Sequence, residues 1–157
     1  MISNKLQLPV LQKRRCDGCT KCCEGWLSGN VYGHEMFTGR KCHFLEKQCT
    51  IYDSRPENPC QTYECAWLND QSIPGWMKPD LSNVIISKRI ERSNKLNKNI
   101  EFYQISEAGS RIDVGILNWV IHWAIQNNLN ITYQIDGKFH TLGSPEFNEY
   151  ATSTNRI

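Results

Sequence analysis

The sequence has no run approaching the roughly 20 consecutive apolar residues that a membrane-spanning helix requires. Its first residues, Met1-Ile2-Ser3-Asn4-Lys5, lack the apolar stretch of a secretory signal. A cytoplasmic protein with no membrane partner is therefore expected. No Gly-rich phosphate loop, dinucleotide fingerprint, Ser-His-Asp constellation or pair of carboxylates placed for acid–base work stands out, so enzymatic chemistry has no positive support in the sequence other than a metal centre. Repeats and low-complexity tracts are missing too. Cysteine is absent from most of the chain: all eight cysteines lie in the fifty residues from Cys16 to Cys65.

What is present bounds the answer further. The chain has 157 residues, 39% of them apolar and 22% charged, enough for one ordinary domain, 1–157, that buries a core without cross-links. A reducing compartment keeps thiols free, so the eight cysteines are read as ligands and not as four disulfides. The charge balance then changes. Eight thiolates on two divalent ions would add eight negative and four positive charges, turning the formal +2 into −2, so composition gives no reason to expect a nucleic-acid partner.

The first cysteines form C-x-x-C-x-x-C-C at Cys16, Cys19, Cys22 and Cys23. Two residues between cysteines let the backbone loop tightly and present both sulfurs to one ion, and Gly18 suits such a turn. The spacing serves two chemistries. Zinc sites take cysteines in pairs, whereas a triplet with two-residue gaps also grips an iron–sulfur cluster. Adjacent side chains in extended backbone point to opposite faces, so one of Cys22 and Cys23 is expected to serve a different site or the core. The triplet Lys13-Arg14-Arg15 before Cys16 is read as a solvated charged turn, whose cations would also offset a polythiolate centre.

The second group is Cys42, Cys49, Cys60 and Cys65. The alternation in Cys42–Tyr52 suggests a hairpin that brings Cys42 and Cys49 together, with His43 facing away. Asn58 and Pro59 read as the cap and first position of a helix running to about Leu68. On such a helix Cys60 and Cys65 would stand roughly 140° apart, which points them to distinct destinations. An irregular segment or a short helix is expected over His34–Phe37, and His34 is assigned a surface or core role.

Together these residues resemble the YkgJ-type cysteine-cluster family, a zinc- or iron-chelating domain. Its signature stands here as Cys16 to Cys23, Cys42-His43-Phe44-Leu45, Cys49-Thr50-Ile51-Tyr52, Arg55-Pro56, then Cys60 and Cys65, about a third of the chain. Gln48 replaces a frequent glycine, Gln61 a usual arginine, and one extra residue separates Pro56 from Cys60. The resemblance implies a metal or iron–sulfur centre, with Arg55 fixing the approach to the last ligands through thiolate sulfur or Asp53; the alternative for Arg55 is an exposed arginine before a rigid proline.

Beyond the module (16–68), Val84–Ile90 and Ile100–Ser106 read as strands joined by a polar connection, Glu91–Asn99. Lys88, Arg89, Arg92, Lys95 and Lys98 on it are expected to be solvated, since Phe102 and Tyr103 are the only nearby rings that could stack on bases. After Gly109 comes the clearest helix, begun near Ser110 and Asp113, with Ile112, Ile116, Val120 and Ala124 inward and Asn118, His122 and Gln126 on a polar stripe. Trp119 and Trp123 belong to its packing. Ile131–Ile135, Asp136-Gly137 and Lys138–Leu142 predict a tight hairpin, completing the portion 81–143, and 145–157 a polar tail. The expected fold is α+β: a cysteine-rich metal-binding module packed on a small antiparallel sheet with one long helix. The expected function is zinc chelation by Cys16, Cys19, Cys22, Cys23, Cys42, Cys49, Cys60 and Cys65, organising a module that meets a protein partner. An iron–sulfur protein with an electron-transfer or redox role is the alternative.

Overall fold

The computed structural model describes residues 13–16, 18–37 and 39–154. The apolar thread Leu6, Leu8, Val10 and Leu11 lies outside them. The fold is mixed α/β, with a two-stranded antiparallel hairpin and a four-stranded mixed sheet. No helix among the described residues is long and apolar enough to cross a membrane.

The hairpin pairs β1 (Gly29–Val31) with β2 (His34–Met36), so His34 begins a strand and neither the irregular segment nor the short helix expected there forms. Val31 and Met36 bury beside Leu45 and Cys42, a small apolar cluster under the cysteine-rich loops. The helix expected from Asn58 to Leu68 is also broken. A kinked turn spans Glu57–Gln61 with Asn58 extended ahead of a cis Asn58–Pro59 bond, and a separate one-turn helix, α1, covers Ala66–Asn69 after an extended Cys65. An extended residue before proline is compatible with a cap at Asn58. The run is broken instead at Cys65, whose extended backbone (φ −67°, ψ 152°) separates the kinked turn from α1. After α1 comes a second single turn, α2 (Pro79–Ser82), with Pro79 at its first position.

The larger sheet runs β3 (Val84–Ser93), β4 (Lys98–Glu107), β5 (Ile131–Ile135) and β6 (Lys138–Leu142) in that order. The connection between the first two strands is shorter than expected, because pairing continues to Ser93 opposite Lys98. β3 is an edge strand, where exposed cations discourage pairing with a further chain. Lys88 meets Glu101 at 3.0 Å, Lys95 meets Glu149 and Lys98 meets Glu146, so these cations sit in surface ion pairs. β4 and β5 run parallel, which requires a crossover, and helix α3 (Val114–Gln126) supplies it. The sheet is therefore not wholly antiparallel. Asp113 caps α3 by accepting hydrogen bonds from the amides of Gly115 and Ile116 at 2.7 and 3.3 Å. Val120, Trp123 and Ala124 bury against Ile85, Ile105 and Ile131, while Asn118, His122 and Gln126 are exposed, as the periodicity requires. Asp136 and Gly137 both take left-handed angles and close the β5–β6 hairpin as expected.

The polar tail expected from 145 is instead helix α4 (Pro145–Ser153), capped by Ser144 Oγ accepting from the Phe147 amide at 3.1 Å. Side chains alternate across a strand, so Ile100 and Phe102 leave the face that Tyr103 and Ile105 share with α3. They meet Phe147, Tyr150 and Ala151 of α4 on the other side.

Candidate functional site

All eight cysteines line one cavity of about 1190 Å³, walled also by Val31, Met36, Tyr52 and Tyr63. All eight thiols are free, Cys42 and Cys65 buried and the other six partly exposed. Two stretches far apart in sequence thus share one wall, and the geometry of each loop follows from local chemistry.

The first stretch turns twice. The Cys19 amide donates to the Cys16 carbonyl at 2.8 Å, and a single 3-10 turn covers Lys21–Glu24. At three residues per turn, successive side chains are roughly 120° apart, so Cys22 and Cys23 cannot face the same way. Cys22 packs against the large core, the cluster that holds Cys65, and Cys23 against the small one, with Cys42 and Cys60. The Cys42 amide donates to the Cys23 carbonyl at 2.8 Å, tying the two stretches together. The loop expected as a hairpin is tight but carries no extended strands: Leu45 and Cys49 form an isolated bridge, and the Thr50 amide donates to the Phe44 carbonyl at 3.0 Å. His43 is exposed while Cys42 is buried, although no strand forms there to alternate them. The His43 ring stacks on His34 at 3.7 Å.

The last two cysteines part company. Cys60 rides the kinked turn, which presses on β1: a Cβ at Gly29 would lie 2.6 Å from Pro59 Cγ, so only glycine allows this approach. Cys65 precedes α1, which packs on β3, and Tyr63 hydrogen-bonds Ser87 of that strand at 2.8 Å.

Electrostatics follow this placement. Burial pushes the Cys22 thiol far above its ordinary value of 9.0, and the neighbouring Cys65, Cys19, Cys23 and Cys16 add to the push. Cys23 is raised to about 12 by burial, then by Cys42, Cys49 and Cys60. Burial and then Cys42 and Cys49 raise Cys60, with Arg55 opposing. Cys65 reaches about 11 through burial, with Cys16 and Cys19 among its charged neighbours. Burial and Cys19 raise Cys16, against the pull of Arg55 and Lys78. Burial is the leading cause in each case, with the neighbouring thiols adding to it.

Arg55 is placed otherwise than the resemblance implied. Its Nε donates to the Tyr52 carbonyl at 2.8 Å and its guanidinium lies 3.8 Å over the Tyr52 ring, a clamp on the turn before Pro56. From there its charge reaches both Cys16 and Cys60. Arg14, expected in a solvated turn, donates to the carbonyls of Trp67, Asp70 and Ile73 at 2.7, 3.2 and 2.7 Å and stacks over Trp67 at 4.6 Å. It fastens the segment leading into Cys16 onto the end of α1. Backbone carbonyls carry no residue-type signal, so nothing in the sequence marks these partners.

The donor set is the one zinc and iron–sulfur clusters take, and it shares one wall. Among the described residues no three His, Cys, Asp or Glu side chains are gathered in an arrangement that could hold an ion as they stand. Comparison with protein-family models, with curated proteins and with solved structures finds no match to this chain.

Proposed function

We propose that this protein binds metal through its cysteine wall, with zinc as the ion. The observation that carries the reading is that all eight cysteines, drawn from Cys16–Cys23 and Cys42–Cys65, line a single cavity. The signature resemblance to the YkgJ-type family supports it. Cys16, Cys19, Cys22, Cys23, Cys42, Cys49, Cys60 and Cys65 would hold the metal, and Arg55 would temper the negative charge of the thiolates. Zinc supplies cross-linking of loops that have little regular structure of their own. Sites closed by four thiolates leave no coordination position for substrate, so the module's output is shape presented to a protein partner. An iron–sulfur centre is the second reading, favoured by the placement of Cys65 beside Cys22, since three cysteines at two-residue gaps plus one remote cysteine is a cluster-binding pattern.

The test is metal content in two single variants of the full chain. Cys19→Ser lowers bound metal; His122→Ala, on the exposed stripe of α3, leaves it unchanged. Equal content in wild type and Cys19→Ser would count against the reading.

A further inference from the structure

The eight cysteines need not act as one cluster, and their packing divides them. Cys22 and Cys65 belong to the large core beside α1 and β3, whereas Cys23, Cys42 and Cys60 belong to the small cluster built on Val31, Met36 and Leu45. Cys49 joins the second set through its bridge to Leu45, a buried member of that cluster. Cys16 and Cys19 are bound to each other by the Cys19 amide. The division falls between two adjacent residues, Cys22 and Cys23, because the 3-10 turn that carries them cannot aim both side chains one way. It falls again between Cys60 and Cys65, because the turn holding the former presses on β1 while α1, after the latter, packs on β3.

We infer that the wall holds two separate four-thiolate centres, one from Cys16, Cys19, Cys22 and Cys65 and the other from Cys23, Cys42, Cys49 and Cys60. Each centre takes one cysteine from beyond its own sequence group, so the pair of centres staples the N-terminal loop to the second stretch twice. Cys16 and Cys19 go with Cys22 through the two-residue gaps that present neighbouring sulfurs to one ion. Four thiolates complete the tetrahedral shell of a structural zinc ion, and eight divide into two such shells with none left over.

This partition rests on the metal reading above, and its test separates the two. Pairs of substitutions are compared in the full chain by metal content. Cys22→Ser with Cys65→Ser removes one centre and leaves about half the wild-type metal; Cys60→Ser with Cys65→Ser removes both and leaves almost none. Similar losses from the two pairs overturn the partition, while a wild-type chain that binds no metal overturns the metal reading and the partition with it. Should the variants fail to fold, the wild-type chain reconstituted with NMR-active cadmium answers the same question. Two signals are expected, one correlated with the β-protons of Cys16, Cys19, Cys22 and Cys65 and the other with those of Cys23, Cys42, Cys49 and Cys60. A single signal correlated with both Cys22 and Cys23 refutes the division.

Discussion

Replacing Arg14 by alanine removes three hydrogen bonds and a ring contact at once, which makes it a sharp test of how the cysteine segment is anchored. The acceptors are the carbonyls of Trp67, Asp70 and Ile73, at and just beyond the end of α1 (Ala66–Asn69), where a helix leaves its last carbonyls without partners. Hydrogen bonds to a charged donor contribute about 1.5–3 kcal/mol each, but Arg14 is half-buried and its acceptors can turn to water. Discounting for that, the loss is roughly 2–4 kcal/mol including the Trp67 contact. With a urea slope of about 2 kcal/mol per M, the unfolding midpoint of metal-free protein falls by on the order of 1–2 M. Arg14→Lys keeps the charge but not the planar fork, so it recovers less than half of that loss. An Arg14→Ala midpoint within roughly 0.3 M of wild type, or a lysine variant equal to wild type, would refute the reasoning.

Two further outcomes are expected. Phe147 is fully buried against Phe102, ring centres 5.3 Å apart, so Phe147→Ala lowers stability by about 3–5 kcal/mol in urea titration; a polar tail without packing would lose almost nothing. Metal-free protein also loses stability in alkali. The folded state raises Cys23 to about 12 and Cys65 to about 11 from 9.0, so it keeps protons that the unfolded chain has already released. Stability is intact below the ordinary thiol value and falls as pH climbs from 9.0 toward those raised values. Urea midpoints on either side of the thiol value, at about pH 8 and about pH 10, check this, and equal midpoints would sink it.

Local chemistry made part of the fold legible. The Asp136-Gly137 turn, the register of its two strands and the inward face of α3 all followed from turn preference and a 3.6-residue period. Helix α4 did not, because the polar composition of 145–157 outweighed a Ser144-Pro145 start that the structure uses as its cap. The parallel pairing of β4 with β5 was also hidden, since it depends on where α3 lands and not on either strand's own residues. At the candidate site, the divergence of Cys22 from Cys23 and of Cys60 from Cys65 was readable, both for reasons other than those argued: Cys22 and Cys23 part on a 3-10 turn and not in extended backbone. The sequence places Cys60 and Cys65 on one helix at different angles; the structure separates them by breaking that helix at an extended segment. Arg14 and Tyr63 went unread because their partners, backbone carbonyls and a strand serine, lie far away in sequence.

The central claim is that these thiols meet inorganic ions, and elemental analysis of the full chain, purified without oxygen, tests it most directly. The account predicts about two zinc ions per chain, one for each set of four thiolates, in a colourless protein. Iron with acid-labile sulfide and a brown colour would transfer the site to the second reading, and a preparation free of transition metal with its thiols still reduced would contradict the account altogether.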